Sequence, residues 1–421
     1  MISPEFRSWN RRQFMQFASL AGLGLLGDRL ASNFHQSASA ASPKTIRVGI
    51  LHSLTGTMAI AERSAVNAEL LAIDEINQAG GVLGQQIKIV VEDGESDWVT
   101  FAEKARKLID RDRVATIFGG WTSASRKSLL PLLEAKNVLL WYPTTYEGVE
   151  CSPNIFYAGA VPNQQIEPSL KWLLDNKGKD FYLVGSDYIY PRVVNTIIKG
   201  KLEGLGGRVA GENYIPLGGL EVRASIQKIQ QALPRGGVIY NSFNGDTNIA
   251  FLRQLRDAGL RPDRYPVMSV NITEEEIWAI DPKYLAGHYL SQSYFQTVDN
   301  LANRKFVAAF RQKYGDLRVT SDTIANAYSM VYLWKQAVEA AGDAYNTDRV
   351  RIGAVGQSFD APEGKVTIDA SQHLWKTARI GQVKADGTVA IVYQSAQPIQ
   401  PQPWNSAIAD VKGRVCNWAT S

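Results

Sequence analysis

The sequence predicts an α/β protein of two lobes, each a parallel sheet flanked by helices. Two runs of alternating strand and helix patterns, beginning near Ile46 and Asn163, support this class, because such alternation is typical of parallel sheets covered by helices. The chain has 421 residues, which is long enough for two separate cores. Two lobes in tandem leave a cleft between them, and closure of such a cleft around a ligand is a common hinge motion.

The first run contains four strand-like and three helix-like segments. The predicted strands are 46–51, 86–91, 114–118 and 138–142, and the predicted helices are 62–78, 100–111 and 123–135. A glycine-rich turn at 79–84 ends the first helix and starts the second strand. Because no Lys-Ser/Thr pair follows its glycines, a nucleotide-binding P-loop is excluded.

The second run and the C-terminal part continue in the same way. The second run predicts helices at 167–176, 191–204, 223–232 and 246–258, with strands at 181–185, 208–214, 238–242 and 266–269. A strand at 288–293 follows, then helices at 303–314, 321–341 and 347–356. The end of the chain predicts antiparallel strands at 365–368, 375–384 and 388–393, with turns at 362–364 and 385–387.

The first 40 residues have the pattern of an export signal. Arg11 and Arg12 precede an apolar run at 17–27, and small residues follow at 37–40. This order predicts a signal peptide over 1–40, and the paired arginines indicate the twin-arginine type; the alternative is an amphipathic helix. Because no cysteine lies near the cleavage site, we expect a protein without a lipid anchor, free in the periplasm.

Composition and charge exclude several partners. The chain is 45% hydrophobic and 20% charged, with a net charge of +4 and no basic cluster, which argues against nucleic acid or an anionic membrane as partner. The two cysteines, Cys151 and Cys416, stand 265 positions apart, and the sequence alone does not favour a disulfide between them.

Hydroxyl and aromatic side chains follow two neighbouring strands of the first run. Trp121, Thr122 and Ser123 come after the strand at 114–118, and Thr144 and Thr145 come after the strand at 138–142. Ligands of open parallel sheets bind outside the carboxyl ends of the strands, so both clusters should face one crevice. They predict a pocket for a small polar molecule, although Thr122 or Ser123 alone is equally explained as a helix N-cap.

Four motifs carry a resemblance to a known family. These are WTSASRK from residue 121, WYP-x-x-YEG-x-E-x-SPNIFY from 141, GSDYIYPR from 185 and FDAPEGKVTID from 359. In this order they resemble the amide- and urea-binding branch of the leucine/isoleucine/valine-type periplasmic binding proteins, over about 46–403. The resemblance implies a type I binding fold with three hinge crossings. The implied lobes are 45–162 plus 296–358 and 163–295 plus 359–403, with a C-terminal tail at 404–421.

The resemblance also implies which side chains hold the ligand. Ser123, Tyr142 and Thr144 match the first-lobe positions that hold the ligand amide, and Trp121 occupies the adjoining aromatic position. Two tyrosines match those that close from the second lobe, and a polar turn after the strand at 238–242 should point into the same cleft. These second-lobe residues are Tyr188, Tyr190, Asn241, Asn244 and Asp246.

Simpler explanations exist for several of these residues. Tyr190 precedes a proline at a helix start, Asp246 is better explained as an N-cap, and Asn244 before a glycine is a common turn dipeptide. Charged residues nearby are expected to be structural or solvated, or to sit in the first turn of a helix. These are Glu147, Glu150 and the run Glu274, Glu275 and Glu276.

The identity of the ligand stays open at the level of sequence. Thr144 and Thr145 stand where the urea-binding pattern has valine and glutamine. Two further departures from that pattern are the segment that follows His288 and the residue Asn326. The ligand is therefore urea, a short aliphatic amide or guanidine. A guanidinium ion would need a carboxylate in the cleft, for which the candidates are Asp97, Asp246 and Glu275.

Catalysis is not expected. The histidines are scattered without metal-ligand spacing, no Gly-x-Ser-x-Gly elbow occurs, and Ser123 has no evident base, so we expect no enzyme, no metal and no cofactor. A cytoplasmic amide sensor is the rival class, and the export signal argues against it. We therefore expect a monomeric binding protein for nitrogen uptake that passes urea or a close analogue to the membrane subunits of an ABC permease.

Overall fold

A computed structural model of the chain describes residues 45–411 and 413–418. The predicted signal peptide at 1–40 lies outside the described residues. No helix in the described part is long and apolar enough to cross a lipid bilayer.

The first sheet has five parallel strands in the order β2-β1-β3-β4-β5. The strands are β1 (Thr45–His52), β2 (Gln86–Asp93), β3 (Thr116–Gly119), β4 (Leu139–Tyr142) and β5 (Ile155–Tyr157). The helices between them are α1 (Ala59–Gln78), α2 (Trp98–Arg106), which continues into a π-helical turn at Lys107–Arg111, and α3 (Ser123–Lys136). Strands β3 and β4 are buried throughout, as expected for parallel strands covered on both faces. The sequence missed only β5, which is three residues long.

The second sheet has seven strands in the order β15-β14-β10-β9-β8-β6-β7. Its parallel part comprises β6 (Asp180–Ser186), β7 (Arg208–Ile215), β8 (Val238–Ser242), β9 (Val267–Ser269) and β10 (Tyr289–Gln292). The accompanying helices are α4 (Pro162–Asn176), α5 (Ile189–Leu205), α6 (Arg223–Ala232), α7 (Asp246–Asp257), α8 (Glu274–Ile280) and α9 (Pro282–Leu285). This alternation matches the prediction closely.

Three helices and five strands complete the chain. They are α10 (Leu301–Tyr314), α11 (Asp322–Ala341), α12 (Thr347–Ala354), β11 (Ser358–Ala361), β12 (Gly364–Ile368), β13 (Leu374–Trp375), β14 (Arg379–Val383) and β15 (Val389–Gln394), followed by a 3-10 turn at Ala409–Val411. The predicted single strand at 375–384 is wrong. It divides into β13 and β14, because the backbone of the intervening Lys376 pairs with Ile399 instead: Lys376 N donates to Ile399 O at 3.2 Å, and Ile399 N donates to Lys376 O at 2.7 Å.

A third, antiparallel sheet connects the C-terminal region to the first core. Strands β11, β12 and β13 form it, and Val366 and Leu374 pack in the same apolar core as Ile46 and Trp334. Residues 359–375 thus pack with the first core, whereas the sequence analysis placed 359–403 in the second lobe. The remaining lobe boundaries stay a prediction. Within the described residues the chain passes between the two cores three times, after β5, β10 and β13. The predicted two-lobed architecture is confirmed.

A disulfide joins Cys151 and Cys416, whose Cα atoms lie 6.0 Å apart. The sequence did not favour this bond, because only the tertiary structure brings the two positions together. Trp418 Nε1 donates to Cys151 Sγ at 3.0 Å, and Val149 N donates to Pro403 O at 2.8 Å. The C-terminal tail is therefore fixed to the loop between β4 and β5, which carries Glu147 and Glu150.

Candidate functional site

The site begins where β3 turns into α3. Gly119 has φ +136°, and a Cβ atom there would lie 2.0 Å from Leu51 O, so only glycine permits this close approach of backbone. Thr122 is the N-cap of α3, since its Oγ1 accepts from Ser125 N at 3.0 Å. The cap is thus Thr122, and the Ser123 hydroxyl is available for other partners.

Ser123 belongs to a buried group of charged side chains. Its Oγ donates to Glu147 Oε2 at 2.5 Å and accepts from Arg126 Nη1 at 3.1 Å. Arg126 Nε donates to Glu150 Oε1 at 2.7 Å, and Lys127 Nζ donates to Glu150 Oε2 at 2.7 Å. Buried carboxylates need such partners. Glu147 and Glu150 were predicted to be structural or solvated, and because both are buried, they are structural and not solvated.

The charges of this group are firmly paired. Burial opposes ionisation of Glu150, but the Arg126 guanidinium and the Lys127 ammonium outweigh it and lower the pKa of Glu150 to about 2. The pKa of Arg126 is raised above its usual range by Glu150 and Glu147, despite burial. At neutral pH the group therefore contains a guanidinium held by a fully ionised carboxylate.

Arg126 also covers an aromatic wall formed by Tyr142 and Tyr146, of which only Tyr142 was predicted as a site residue. Its guanidinium lies 4.3 Å from the ring centroid of Tyr146 and 5.0 Å from that of Tyr142. The Tyr142 hydroxyl donates to Trp121 O, and Thr144 Oγ1 donates to Gly120 O at 3.2 Å. Sequence reasoning missed Arg126; the available signal was its position one helical turn after Ser123, on the same face of α3.

Two second-lobe residues form a hydrogen-bonded pair at the cleft. Asn244 Nδ2 donates to the hydroxyl of Tyr188 at 3.0 Å, and its backbone N donates to Ser186 Oγ at 3.1 Å. Burial, followed by the influence of Tyr142 and Glu147, raises the pKa of Tyr188 well above its ordinary value. That Tyr188 contacts the ligand from the second lobe stays a prediction.

The other three predicted second-lobe residues have different surroundings. Tyr190 is buried, and its hydroxyl has no hydrogen-bond partner among the described residues. Asn241 Nδ2 donates to Asn248 Oδ1 and Ser269 Oγ, both at 3.0 Å, so its amide is engaged within its own lobe. Asp246 is exposed at the first position of α7.

The N-cap explanation for Asp246 is wrong, because Gly245 with φ +60° is the N-cap of α7. Asp246 N instead donates to Thr57 Oγ1 at 3.2 Å, which is a contact between the two lobes. Trp121 makes another interlobe contact, packing with Met58 and Leu217 in a small apolar cluster. The cleft is therefore closed in this structure.

A small cavity lies inside the closed cleft. The space open to the centre of a water-sized sphere is about 10 Å³, which is room for about one water molecule. The first sheet contributes Trp121, Thr144 and Thr145, the second sheet contributes Val270, Asn271, Thr273 and Gln292, and α11 contributes Asp322 and Thr323. The structure thus brings Trp121 and Thr144 together at one cavity, and their contact with a ligand stays a prediction. Most of the lining residues that the sequence analysis missed lie at or just after the carboxyl ends of β9 and β10. The rule that ligands bind outside the carboxyl ends of parallel strands, applied to the second sheet, would have found them.

The carboxylates proposed from sequence do not line this cavity. Asp97 is the exposed N-cap of α2, accepting from Thr100 N at 2.8 Å. Glu275 lies on α8, where burial raises the pKa of its carboxyl to about 7. The cavity carboxylate is Asp322. The described residues contain no cluster of His, Cys, Asp or Glu side chains suited to a metal ion.

Comparison with known proteins decides the family. Residues 46–410 match the family model described as periplasmic binding protein domain. The chain belongs to this family. It is a solute-binding protein of the ABC transporter type. The expectation that it is not an enzyme is confirmed. Proteins of this family bind small ligands and interact with ABC permeases.

Relatives of this binding protein carry several names. It is 26% identical to the leucine-, isoleucine-, valine-, threonine- and alanine-binding protein of Pseudomonas aeruginosa, over 77% of this chain and 86% of that protein. A 123-residue segment is 40% identical to limonene hydroxylase of Geobacillus stearothermophilus but spans only 29% of this chain and 22% of that protein. An ABC transporter solute-binding protein from Rhodopseudomonas palustris HaA2, solved with p-hydroxybenzoic acid, superposes with a TM-score of 0.78 at 21% identity. That match covers 86% of this chain and all of the other, and at this identity it bears on the fold alone.

Proposed function

We propose that this periplasmic binding protein captures urea, or a short amide of similar shape, between its lobes and passes it to an ABC permease for nitrogen uptake. The observation that carries the proposal is the chemistry of the residues that line the cavity from both lobes, with Trp121 as an apolar wall and Thr144 and Gln292 among the polar groups. The cavity as it stands has room for about one water molecule, so the lobes must close less tightly around urea, which has four non-hydrogen atoms. Ligand sites of this kind combine apolar walls with a few directed polar groups.

The charges around the cavity support a ligand without a carboxylate. The lining contains no lysine or arginine, and its single charged residue is Asp322. Arg126 is the buried cation next to the predicted site, and it is paired with Glu150 at 2.7 Å. An amino acid or a benzoate would bring a carboxylate into a space that offers it no cation, and burying an unpaired charge is strongly unfavourable.

Guanidinium is the second candidate, and Asp322 is the observation that favours it. Its carboxylate is 4% exposed and lines the cavity. A cationic ligand could pair with it, whereas the sequence had considered only Asp97, Asp246 and Glu275 for this role.

Calorimetric titration of the purified protein tests the proposal. Urea, acetamide and guanidinium are compared with leucine and p-hydroxybenzoate at constant ionic strength. Saturable binding of urea or acetamide supports the proposal, and binding of guanidinium alone supports the second candidate. If only leucine or p-hydroxybenzoate binds, the proposal is wrong.

We further propose that Arg11 and Arg12 direct export through the twin-arginine route and that the exported protein is a monomer. Replacing both arginines by lysine should leave the protein in the cytoplasm, as measured by cell fractionation, while sedimentation analysis gives the mass of the exported form. Unchanged export of the double variant would contradict the twin-arginine assignment.

A further inference from the structure

Gln292 presents an unpaired acceptor at the cavity. It is the last residue of β10, its side chain is 6% exposed, and it lines the space between the lobes. Its Nε2 donates to Ile272 O at 2.6 Å, which fixes the orientation of the amide because a carbonyl can accept only from the nitrogen. Its Oε1 is buried without a hydrogen bond among the described residues. A buried polar atom of this kind normally has a partner.

Asp322 adds a second acceptor on the hinge side of the same cavity. Its Oδ1 accepts from Ser293 N at 3.0 Å and Tyr294 N at 2.9 Å, and its Oδ2 accepts from Asn326 Nδ2 at 3.1 Å. A carboxylate oxygen has two lone pairs, so Oδ2 keeps capacity for a further N–H donor. Asp322 thus binds the two residues that follow Gln292 in the chain, and both Gln292 and Asp322 bring acceptors to the cavity.

The cations nearby are engaged elsewhere. Lys376 Nζ donates to Glu363 Oε1 and Asn326 Oδ1, both at 2.6 Å. Arg379 Nη2 donates to Glu363 O at 2.9 Å, and its Nη1 donates to Ser293 O. Neither side chain lines the cavity. The cavity thus has two buried acceptors, Gln292 Oε1 and the carboxylate of Asp322, and no lysine or arginine beside them in the lining.

We propose that Gln292 and Asp322 form the N–H-accepting end of the ligand site and select ligands with amide or amidinium N–H groups over carboxylates. The inference rests on the proposed function and assigns the direction of the ligand within the site. An N–H group of the ligand supplies the partner that Gln292 Oε1 lacks, while a carboxylate placed there would face two acceptors and the charge of Asp322. Gln292 is then a residue that determines specificity.

The test compares Gln292→Leu with a matched control, Gln382→Leu. Gln382 is another partly buried glutamine of the same sheet whose Nε2 donates to a backbone carbonyl, Gly287 O at 3.2 Å, but it does not line the cavity. We expect Gln292→Leu to weaken the binding of urea or acetamide by about tenfold or more, the scale of one hydrogen bond with an unsatisfied partner. The control should stay within about twofold of wild type.

A second variant keeps the test independent of any loss of stability. Gln292→Glu leaves an acceptor in place and adds a negative charge, so the affinity for guanidinium relative to urea should rise, a ratio that a merely structural role would not change. Unaltered affinity in Gln292→Leu together with an unaltered ratio in Gln292→Glu overturns this inference while the proposed function stands. If wild type binds none of urea, acetamide and guanidinium, both are overturned.

Discussion

Ser123 Oγ donates to the fully buried carboxylate of Glu147 at 2.5 Å, across 24 positions of sequence. The hydroxyl that the sequence assigned to the ligand is therefore also the link between the start of α3 and the loop after β4. Its role in ligand binding stays a prediction, and we expect its replacement to affect both binding and stability.

Ser123→Ala should lower the unfolding free energy by about 1–3 kcal/mol, because Glu147 then keeps only the longer 3.4 Å contact with Arg126. Affinity for the proposed ligand should fall as well. Calorimetric unfolding and titration measure the two effects. Ser128→Ala is the control on the same helix, since Ser128 Oγ donates to Trp98 O and has no part in the charged group. A stability equal to that of wild type would argue against the Glu147 contact.

Tyr142→Phe is a better probe of the aromatic wall than Tyr142→Ala. The ring is fully buried, so removing it would create a cavity that costs several kcal/mol, about 3–5 for aromatic residues. Removing only the hydroxyl breaks the bond to Trp121 O and should cost about 1 kcal/mol, with a modest loss of affinity as Trp121 loosens. An affinity unchanged in both Tyr142→Phe and Ser123→Ala would contradict the assignment of these residues to the site.

Arg126→Met should destabilise the protein by about 3–5 kcal/mol, because it leaves two buried carboxylates without their shared cation. Adding Glu147→Gln and Glu150→Gln to the same protein should recover much of this loss, since amides carry no charge. Thermal unfolding of the single and triple variants measures the difference. A triple variant no more stable than the single one would show that packing, not charge, dominates at Arg126.

Reduction of the disulfide should lower stability by about 2–4 kcal/mol. The tail would also be released from the loop that carries Glu147, so ligand affinity should fall in parallel. Unfolding temperatures with and without a reductant, compared with those of Cys151→Ser, provide the measurement. If the reductant lowers the unfolding temperature of Cys151→Ser equally, the effect does not come from this bond.

Glu275 should make closure of the cleft depend on pH. Its carboxylate oxygens are buried beside Ser64, Arg318 and Ser321 of the first lobe. The neighbouring carboxyls on α8 are Glu274 and Glu276. Burial raises its pKa to about 7, above the ordinary 4.5. The closed form therefore binds this proton more tightly, and its stability falls as pH rises from about 4.5 through 7.

Comparison with Glu275→Gln isolates this effect from the histidines. The two proteins should have similar ligand affinity near pH 5, where the carboxyl is protonated, and the variant should bind more tightly at pH 8. Titration of each protein with ligand at the two pH values measures the affinities. Glu203→Gln, at an exposed position, is the control. The prediction is wrong if the ratio of the two ligand affinities, wild type to Glu275→Gln, is the same at both pH values.

The local pattern of apolar and turn residues was enough to predict most of the helices and strands. Strands such as β3 and β4 are short, apolar and buried throughout, and helices such as α11 are long and bounded by turn residues, so composition along the chain identifies them. Strands β5 and β11 were missed because they are only three and four residues long. The division between β13 and β14 was missed because it depends on the pairing of Lys376 with the distant Ile399.

The sequence by itself determined the alternating α/β order, the two lobes and the hydroxyl and aromatic residues at the ends of β3 and β4. Only the tertiary structure decided that Arg126 joins Glu147 and Glu150, that Cys151 meets Cys416, and that Gln292 and Asp322 share one cavity. The physical reason is that helices and strands follow from the spacing of neighbouring residues. Ion pairs, disulfides and cavity linings instead depend on distances between residues far apart in the chain, which packing alone sets.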